Sequence, residues 1–386
     1  MDMEKLLEFT YRWHALEVSN GVEIIDCDLL NRRSDYPTPY ADRNEVRKHL
    51  DALLDEAARD RDVPPFVAAK LRACSYYVRA LCGERIPYEE YVEATMGVTP
   101  VLIPEADIHA QLACVQAAFE ACGGTYSAEN VATDDEQAVY ADRETIRKRF
   151  KAFEDGLVPK VLSWLGLSLD VDYEVAFVEK DAYWLNWLGT DEHARMKLQF
   201  NLHERKRSQW RLGVEETMVF HEICGHVLQA LSWQAQARSG ALPPWLALTA
   251  VYSPEQFSFE GIAQTLHCFM PEAPLSVQGR YLIERSYLNQ LLMSNAHVMA
   301  NRGSSAMEIY RYLLEYLPNV KTEAVEKSAA EYASHPLFRT YLYVYGISAW
   351  QHRTLAQRLN AEQKRQFVLD SYQHAFLPNE ILSAGR

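Results

Sequence analysis

RLGVEETMVFHEICGHVLQALSWQAQA, residues 211–237, is the stretch from which the rest of the chain can be read. Apolar residues recur at helical spacing on both sides of HEICGH, residues 221–226, so the stretch reads as one long helix. A histidine followed at once by a glutamate, with a second histidine further along the same helix, is an arrangement that binds zinc and activates water. His221 and His226 are the expected nitrogen donors, and Glu222 the expected general base beside the metal's open position. The spacing is unusual. Histidines four positions apart differ by about 40° around a regular helix, whereas five positions set them about 140° apart. Both reach one ion only where the helix widens to i→i+5 hydrogen bonding, so the sequence predicts a local π-bulge. Gly225, just before the second histidine, is the residue expected to ease it.

A catalytic zinc site takes a third protein ligand. SPEQFSFEGIAQTLHCF, residues 253–269, reads as a second helix, with Ser253 as N-cap, Pro254 at the first position and Glu255 in the first turn. Glu260 lies in mid-helix among Phe259, Ile262 and Ala263, with Gly261 alongside to permit close approach, and is the expected third ligand. Gln264 and His267 follow at i+4 and i+7 on the same face and are expected to hydrogen-bond behind the ligands.

Working outward, the pattern is mainly α. Residues 44–60, 64–83, 104–122 and roughly 134–166 carry apolar residues at three- and four-residue intervals, and 279–374 are helical again. Strict alternation marks two strands, 172–178 (DYEVAFV) and 195–202 (RMKLQFNL), with the aromatic-rich DAYWLNWLGT between them. The second strand is expected to pair with an extended substrate at a sheet edge. The loop at 123–133 is the candidate boundary between a helical N-terminal region, 1–130, and a catalytic region, 131–386, the two forming one unit. A basic run, HERKRSQWR (203–211), precedes the long helix and reads as a solvated connector or an attractor of acidic substrate.

Composition narrows the classes. A formal charge of −14 argues against nucleic acid, which calls for a basic face. The chain has no apolar run of about 18 residues, so no membrane span is expected. Seven scattered cysteines with no CxxC pair point to free thiols in a reducing compartment, and MDMEKLLEFTYRWHALEV reads as an amphipathic helix rather than a signal peptide; the expected location is the cytoplasm.

The residues quoted resemble those of the gluzincin metallopeptidases, in which two histidines on one helix and a glutamate on the next hold zinc. HEICGH is similar to the HExxGH form of dipeptidyl peptidase III, and FEGIA (259–263) to a segment of the tubulin-tyrosine carboxypeptidases. The helical order over 172–380 resembles the carboxypeptidase Taq group, though the histidine spacing departs from that group's four-residue form, and Gln264 stands where an acidic residue is usual. The resemblance implies a helical zincin-like fold with the small sheet beside the active-site helix. It also covers SHPLFRTYLYVYGISAW (334–350), and implies that Tyr343, three residues before Gly346, donates to a developing oxyanion, with Tyr345 as its substitute. Arg339, one turn earlier, is implied as a clamp for a substrate carboxylate.

The expected function is therefore hydrolysis of a peptide bond by zinc-activated water, of carboxypeptidase type, with one Zn²⁺ per chain. Two alternatives share the same ligands: a zinc amidase acting on a small metabolite, and a zinc-binding scaffold without catalysis.

Overall fold

Helices form where the sequence places apolar residues every third and fourth position: α1 (Met3–Ser19), α2 (Arg43–Arg59), α3 (Pro65–Leu81), α4 (Tyr88–Met96) and α5 (Glu105–Ala121). The computed structural model describes residues 1–140, 142–182, 184–317 and 320–383. The expected single helix over 134–166 is two. Ser127 accepts from the Asn130 N–H and starts α6 (Ala128–Gln137), and Asp142 caps α7 (Arg143–Leu165).

The sheet has three strands, β1 (Tyr173–Val178), β2 (Asn186–Thr190) and β3 (Met196–Asn201), in the order β1-β3-β2. β1 runs parallel to β3 and β2 antiparallel to it. This corrects the expectation for RMKLQFNL. Both sides of β3 are already paired, so the edge left for an extended partner beside the long helix is β2, a strand hidden in the aromatic stretch 181–190. Tyr183 of that stretch lies outside the described residues.

The remaining helices are α8 (Val214–Met218), a π-helix (Val219–Val227), α9 (Leu228–Ser239), α10 (Glu255–Phe269), α11 (Val277–Asn301), α12 (Ala306–Leu314), α13 (Thr322–Ser334), α14 (Phe338–Arg358), α15 (Ala361–Gln373) and α16 (Pro378–Ser383). α10 lies between the π-helix and α14, touching both. Its start differs from expectation: Ser253 donates to its neighbour Glu255 instead of capping, and Glu255 also takes the buried Lys70 ammonium at 2.7 Å.

Three groups of buried apolar side chains fill the interior. One joins α1–α3 to α9, through Trp13, Tyr77, Trp233 and Trp245. A second surrounds the π-helix with Phe150, Phe200, Phe257 and Phe367, and a third packs α5 on α11–α13. Each such side chain contributes roughly 1.5–3 kcal/mol by leaving water. A short extended segment then ties the N-terminal region to the centre. The Asp26 N–H donates to Thr249 O at 2.8 Å, Thr249 N–H to Cys27 O at 3.0 Å, and Leu29 N–H to Ala247 O at 3.1 Å.

Among the described residues no helix is long and apolar enough to cross a membrane, and all seven cysteines are free thiols. The basic run is largely consumed locally: Arg205 pairs with Asp181 at 2.8 Å, Arg207 with Glu204 at 3.5 Å, and Arg211 with Asp134 and Asp135.

Candidate metal centre

The long helix widens where the histidine spacing requires it. Leu228 N–H donates to Ile223 O, an i→i+5 bond closing the π-helix, and the Tyr372 hydroxyl from α15 donates to the Cys224 carbonyl within the widened turn. Val219, Phe220, Ile223, Cys224 and Val227 bury the segment's apolar faces. Gly225 serves a purpose beyond easing the bulge: a Cβ there would lie 2.4 Å from Ala263 Cα, so its absence lets the π-helix and α10 touch backbone to backbone. On α10, a Cβ at Gly261 would meet the His352 ring at 2.1 Å.

These contacts bring the two imidazoles and a carboxylate together. His221 Nε2 and His226 Nε2 are 3.2 Å apart, with the rings nearly perpendicular at 89°. Glu260 straddles them, Oε2 lying 3.8 Å from His221 Nε2 and Oε1 3.8 Å from His226 Nε2. Glu222 also comes close, with Oε1 3.7 Å from His221 Nε2, and one ligand atom each from His221, Glu222 and His226 fall within 4.8 Å of one another. Distance alone therefore admits either carboxylate as third donor. Orientation separates them, because Glu260 turns one oxygen to each ring, whereas the Glu222 Oε1 that lies nearest His221 also accepts the Asn186 amide of β2 at 2.7 Å.

Glu260 is held from behind. Its Oε1 accepts from the Tyr341 hydroxyl at 3.1 Å and its Oε2 from the Gln264 amide at 3.2 Å, while Tyr341 and Tyr345 share a hydroxyl contact of 2.7 Å. Burial pushes the His221 imidazole down to about 4 and His226 further below its usual range, the latter helped by His221 itself. Burial also lifts Glu222 to about 8, with the Glu260 charge adding to it, and Glu260 to about 7. Without a cation, the cluster favours neutral imidazoles beside carboxyls that would gain from a positive neighbour.

Two recesses open from the cluster. One, of about 220 Å³, is lined by Asp26, Trp187, Thr249, Gln256, Tyr341 and Tyr345. The other, of about 310 Å³, is lined by Gln264, His267, Ser286, Tyr287 and Gln290. His221, Glu222, Asn186 and Tyr345 border both.

Three expected residues fall elsewhere. Tyr343 is fully buried on the far side of α14, where its hydroxyl accepts from Val101 N–H at 2.8 Å and donates to Val101 O. Two positions along a helix amount to a turn of about 200°, so Tyr341 and Tyr345 face the cluster while Tyr343 faces away. The Arg339 guanidinium is spent on Ile86 O at 2.7 Å and Asn301 Oδ1 at 3.1 Å, leaving no clamp at the site. His267 lines the second recess, but its Nε2 contacts the Cys268 thiol at 3.2 Å rather than Glu260. Residues not anticipated are Asn186, Tyr341 and Asp26. Tyr341 was signalled by its i,i+4 relation to Tyr345, which mirrors Glu260 and Gln264 on the facing helix; the other two carry no local pattern.

No protein-family model matches the chain, and no curated protein matches it in sequence. In three dimensions it is similar to the crystal structure of the "putative lipoprotein" from Colwellia psychrerythraea, with a TM-score of 0.58 at 12% identity over 89% of this chain and 69% of that one. At that identity the likeness is one of fold alone.

Proposed function

We propose that the chain is a zinc-dependent hydrolase of peptide bonds with a zincin-like arrangement of its helices, in which His221, His226 and Glu260 hold the metal. The observation that carries this reading is the spacing of the three donors. Zinc–ligand bonds of about 2.0–2.1 Å in a tetrahedron put neighbouring ligand atoms about 3.3–3.4 Å apart. The imidazole nitrogens, 3.2 Å apart, already stand at that spacing, and Glu260 sets one carboxylate oxygen 3.8 Å from each of them, Oε2 toward His221 and Oε1 toward His226, so that a small closure brings the carboxylate to an ion between the rings. Zinc, when bound, supplies Lewis acidity and brings the pKa of a water toward about 7.

The chain's own groups account for the remaining steps. Glu222, oriented by the Asn186 amide, receives the proton of the attacking water at its carboxylate and passes it to the departing amine. The donor role expected of Tyr343 falls to Tyr345, whose side chain borders both recesses. Tyr341 and Gln264 fix the Glu260 carboxylate. The β2 edge offers backbone groups to an extended substrate. The presence of a recess on each side of Glu222 favours a peptide over a small amide.

The test is elemental analysis of wild type and Glu260→Ala, followed by a peptide screen with Glu222→Gln. Expected are about one zinc per wild-type chain, its loss in Glu260→Ala, and hydrolysis that falls at least about a hundredfold in a zinc-loaded Glu222→Gln. A wild-type chain that takes up no zinc when zinc is offered would refute the reading.

A further inference from the structure

The smaller recess contains a carboxylate that the proposed chemistry does not use. Asp26 belongs to the extended segment stitched to residues 247–249, and the next residue but one, Asp28, donates its backbone N–H to Thr190 Oγ1 of β2 at 3.2 Å. The backbone on both sides is thereby anchored, and the side chain is open to the recess that also exposes His221, Glu222, His226 and Glu260.

Its surroundings differ from those of the other acidic groups nearby. Asp28 pairs with Arg33 at 3.0 Å and Glu255 with Lys70 at 2.7 Å. Asp26, among the described residues, has only the Gln256 amide, at 3.3 Å, and no lysine or arginine lines its recess. Desolvation in the recess, with Glu255 adding to it, lifts its carboxyl to about 6, so it is charged at neutral pH and would gain from a cation. Its charge reaches Glu222, Glu260, Tyr341 and Tyr345, which places it within electrostatic range of the reacting region. The second recess, on the other side of Glu222, has neutral Gln264, Ser286, Tyr287 and Gln290 and no lysine or arginine among its described lining residues. Neither side, then, is built to grip a substrate's terminal carboxylate.

We propose that Asp26 receives the free N-terminal ammonium of the substrate, so that the chain acts from the amino end of short peptides rather than from the carboxyl end. The inference rests on the peptidase reading of the same cleft. About 220 Å³ is below the roughly 300–1,000 Å³ of sites for drug-sized ligands, and suits the short end of a chain better than its middle. The ammonium pairs with Asp26, Tyr341 and Thr249 wall the recess around it, the scissile carbonyl lies toward the histidines, and the remainder of the peptide runs into the second recess. Asp26 touches the substrate without taking part in proton transfer; it sets which end enters.

The test uses full-length Glu222→Gln protein, so that ligands survive, and titrates alanyl-leucine amide against its N-acetyl form by calorimetry at pH 7, with and without zinc. The free amine should bind at least about tenfold more tightly, as a charge-assisted contact inside a recess does. Adding Asp26→Asn should bring the ratio close to one. Equal binding of the two ligands by protein that retains Asp26 would overturn the proposal, and needs no further variant to fold. An unchanged preference in a folded Asp26→Asn protein would overturn it as well. Failure of the peptidase reading has a different signature: hydrolysis that is absent, or indifferent to Glu222, while the amine preference and its dependence on Asp26 remain.

Discussion

Replacing Gly225 by alanine tests the contact that aligns the two helices proposed to bear the metal. The added methyl carbon would sit 2.4 Å from Ala263 Cα and 2.5 Å from Ala263 Cβ. Carbon atoms that are not bonded settle about 3.5–4.0 Å apart, so the helices must separate by roughly 1 Å or the π-turn must distort. Overfilling a packed interior costs about 1–3 kcal/mol, and intrusion on backbone rather than a flexible side chain puts this case toward the upper end. With an unfolding entropy of roughly 2 cal/mol/K per residue over 386 residues, Tm falls by roughly 1–4 °C. Metal binding should suffer more. Gly225 adjoins His226 and Ala263 is one helical turn beyond Glu260, so the same separation pulls the carboxylate off the second imidazole, and zinc affinity should drop about 10–100-fold. Thermal denaturation with and without zinc, together with competition against a chelating dye, reads both quantities. Gly156→Ala in α7 is the control: nothing lies within 4 Å of its new methyl, and it should gain roughly 0.5–1 kcal/mol. A Gly225→Ala protein with wild-type Tm and wild-type zinc affinity would show that the helices do not meet there.

Tyr341→Phe and Tyr343→Phe should separate cleanly. The first removes a hydrogen bond to Glu260 and should weaken zinc about tenfold, while the second breaks buried bonds to Val101 and should cost about 1–3 kcal/mol of stability with zinc affinity intact; the reverse pattern in dye competition and denaturation would invert the assignment. Acid stability should carry the mark of His297, which burial holds down at about 4 while it bonds Tyr88 at 3.1 Å and Phe338 O at 2.9 Å. Because its folded pKa is depressed, its contribution is complete above about 6.5 and is lost as pH falls toward 4, by up to about 1.4 kcal/mol per pH unit. The destabilisation caused by His297→Gln should shrink accordingly in urea titrations between pH 7 and pH 5, and a constant difference would contradict a neutral buried ring.

The parts of the cleft that could be read from sequence are those in which chemistry imposes a local period. HEICGH places two imidazoles together and, through the mismatch of five residues with a regular turn, implies the widening of the helix; FEGIA marks a carboxylate on a crowded helix. What could not be read is set by distant packing. β2 is only five residues long, with a glycine at 189, and shows no clean alternation, so it was hidden between two better strands. The choice among Tyr341, Tyr343 and Tyr345 depended on which face of α14 turns toward α10, which no single helix declares. Asn186 and Asp26 have ordinary neighbours in sequence; one reaches Glu222, and the other the recess beside it, only through the sheet and the stitched segment at 247–249.

The cleft takes Asp26, Asn186, Glu222, Glu260 and Tyr345 from positions spread along nearly the whole chain. At a synthesis rate of about 5–20 residues per second, roughly 6–24 s pass between His226 and Tyr345. For all of that time the histidines are present and the cleft is not. If the chain is the peptidase proposed, competence would arrive only with the last walls of the site, and a nascent chain would lack it. On that reading its safeguard against premature action would be the order in which its residues are made.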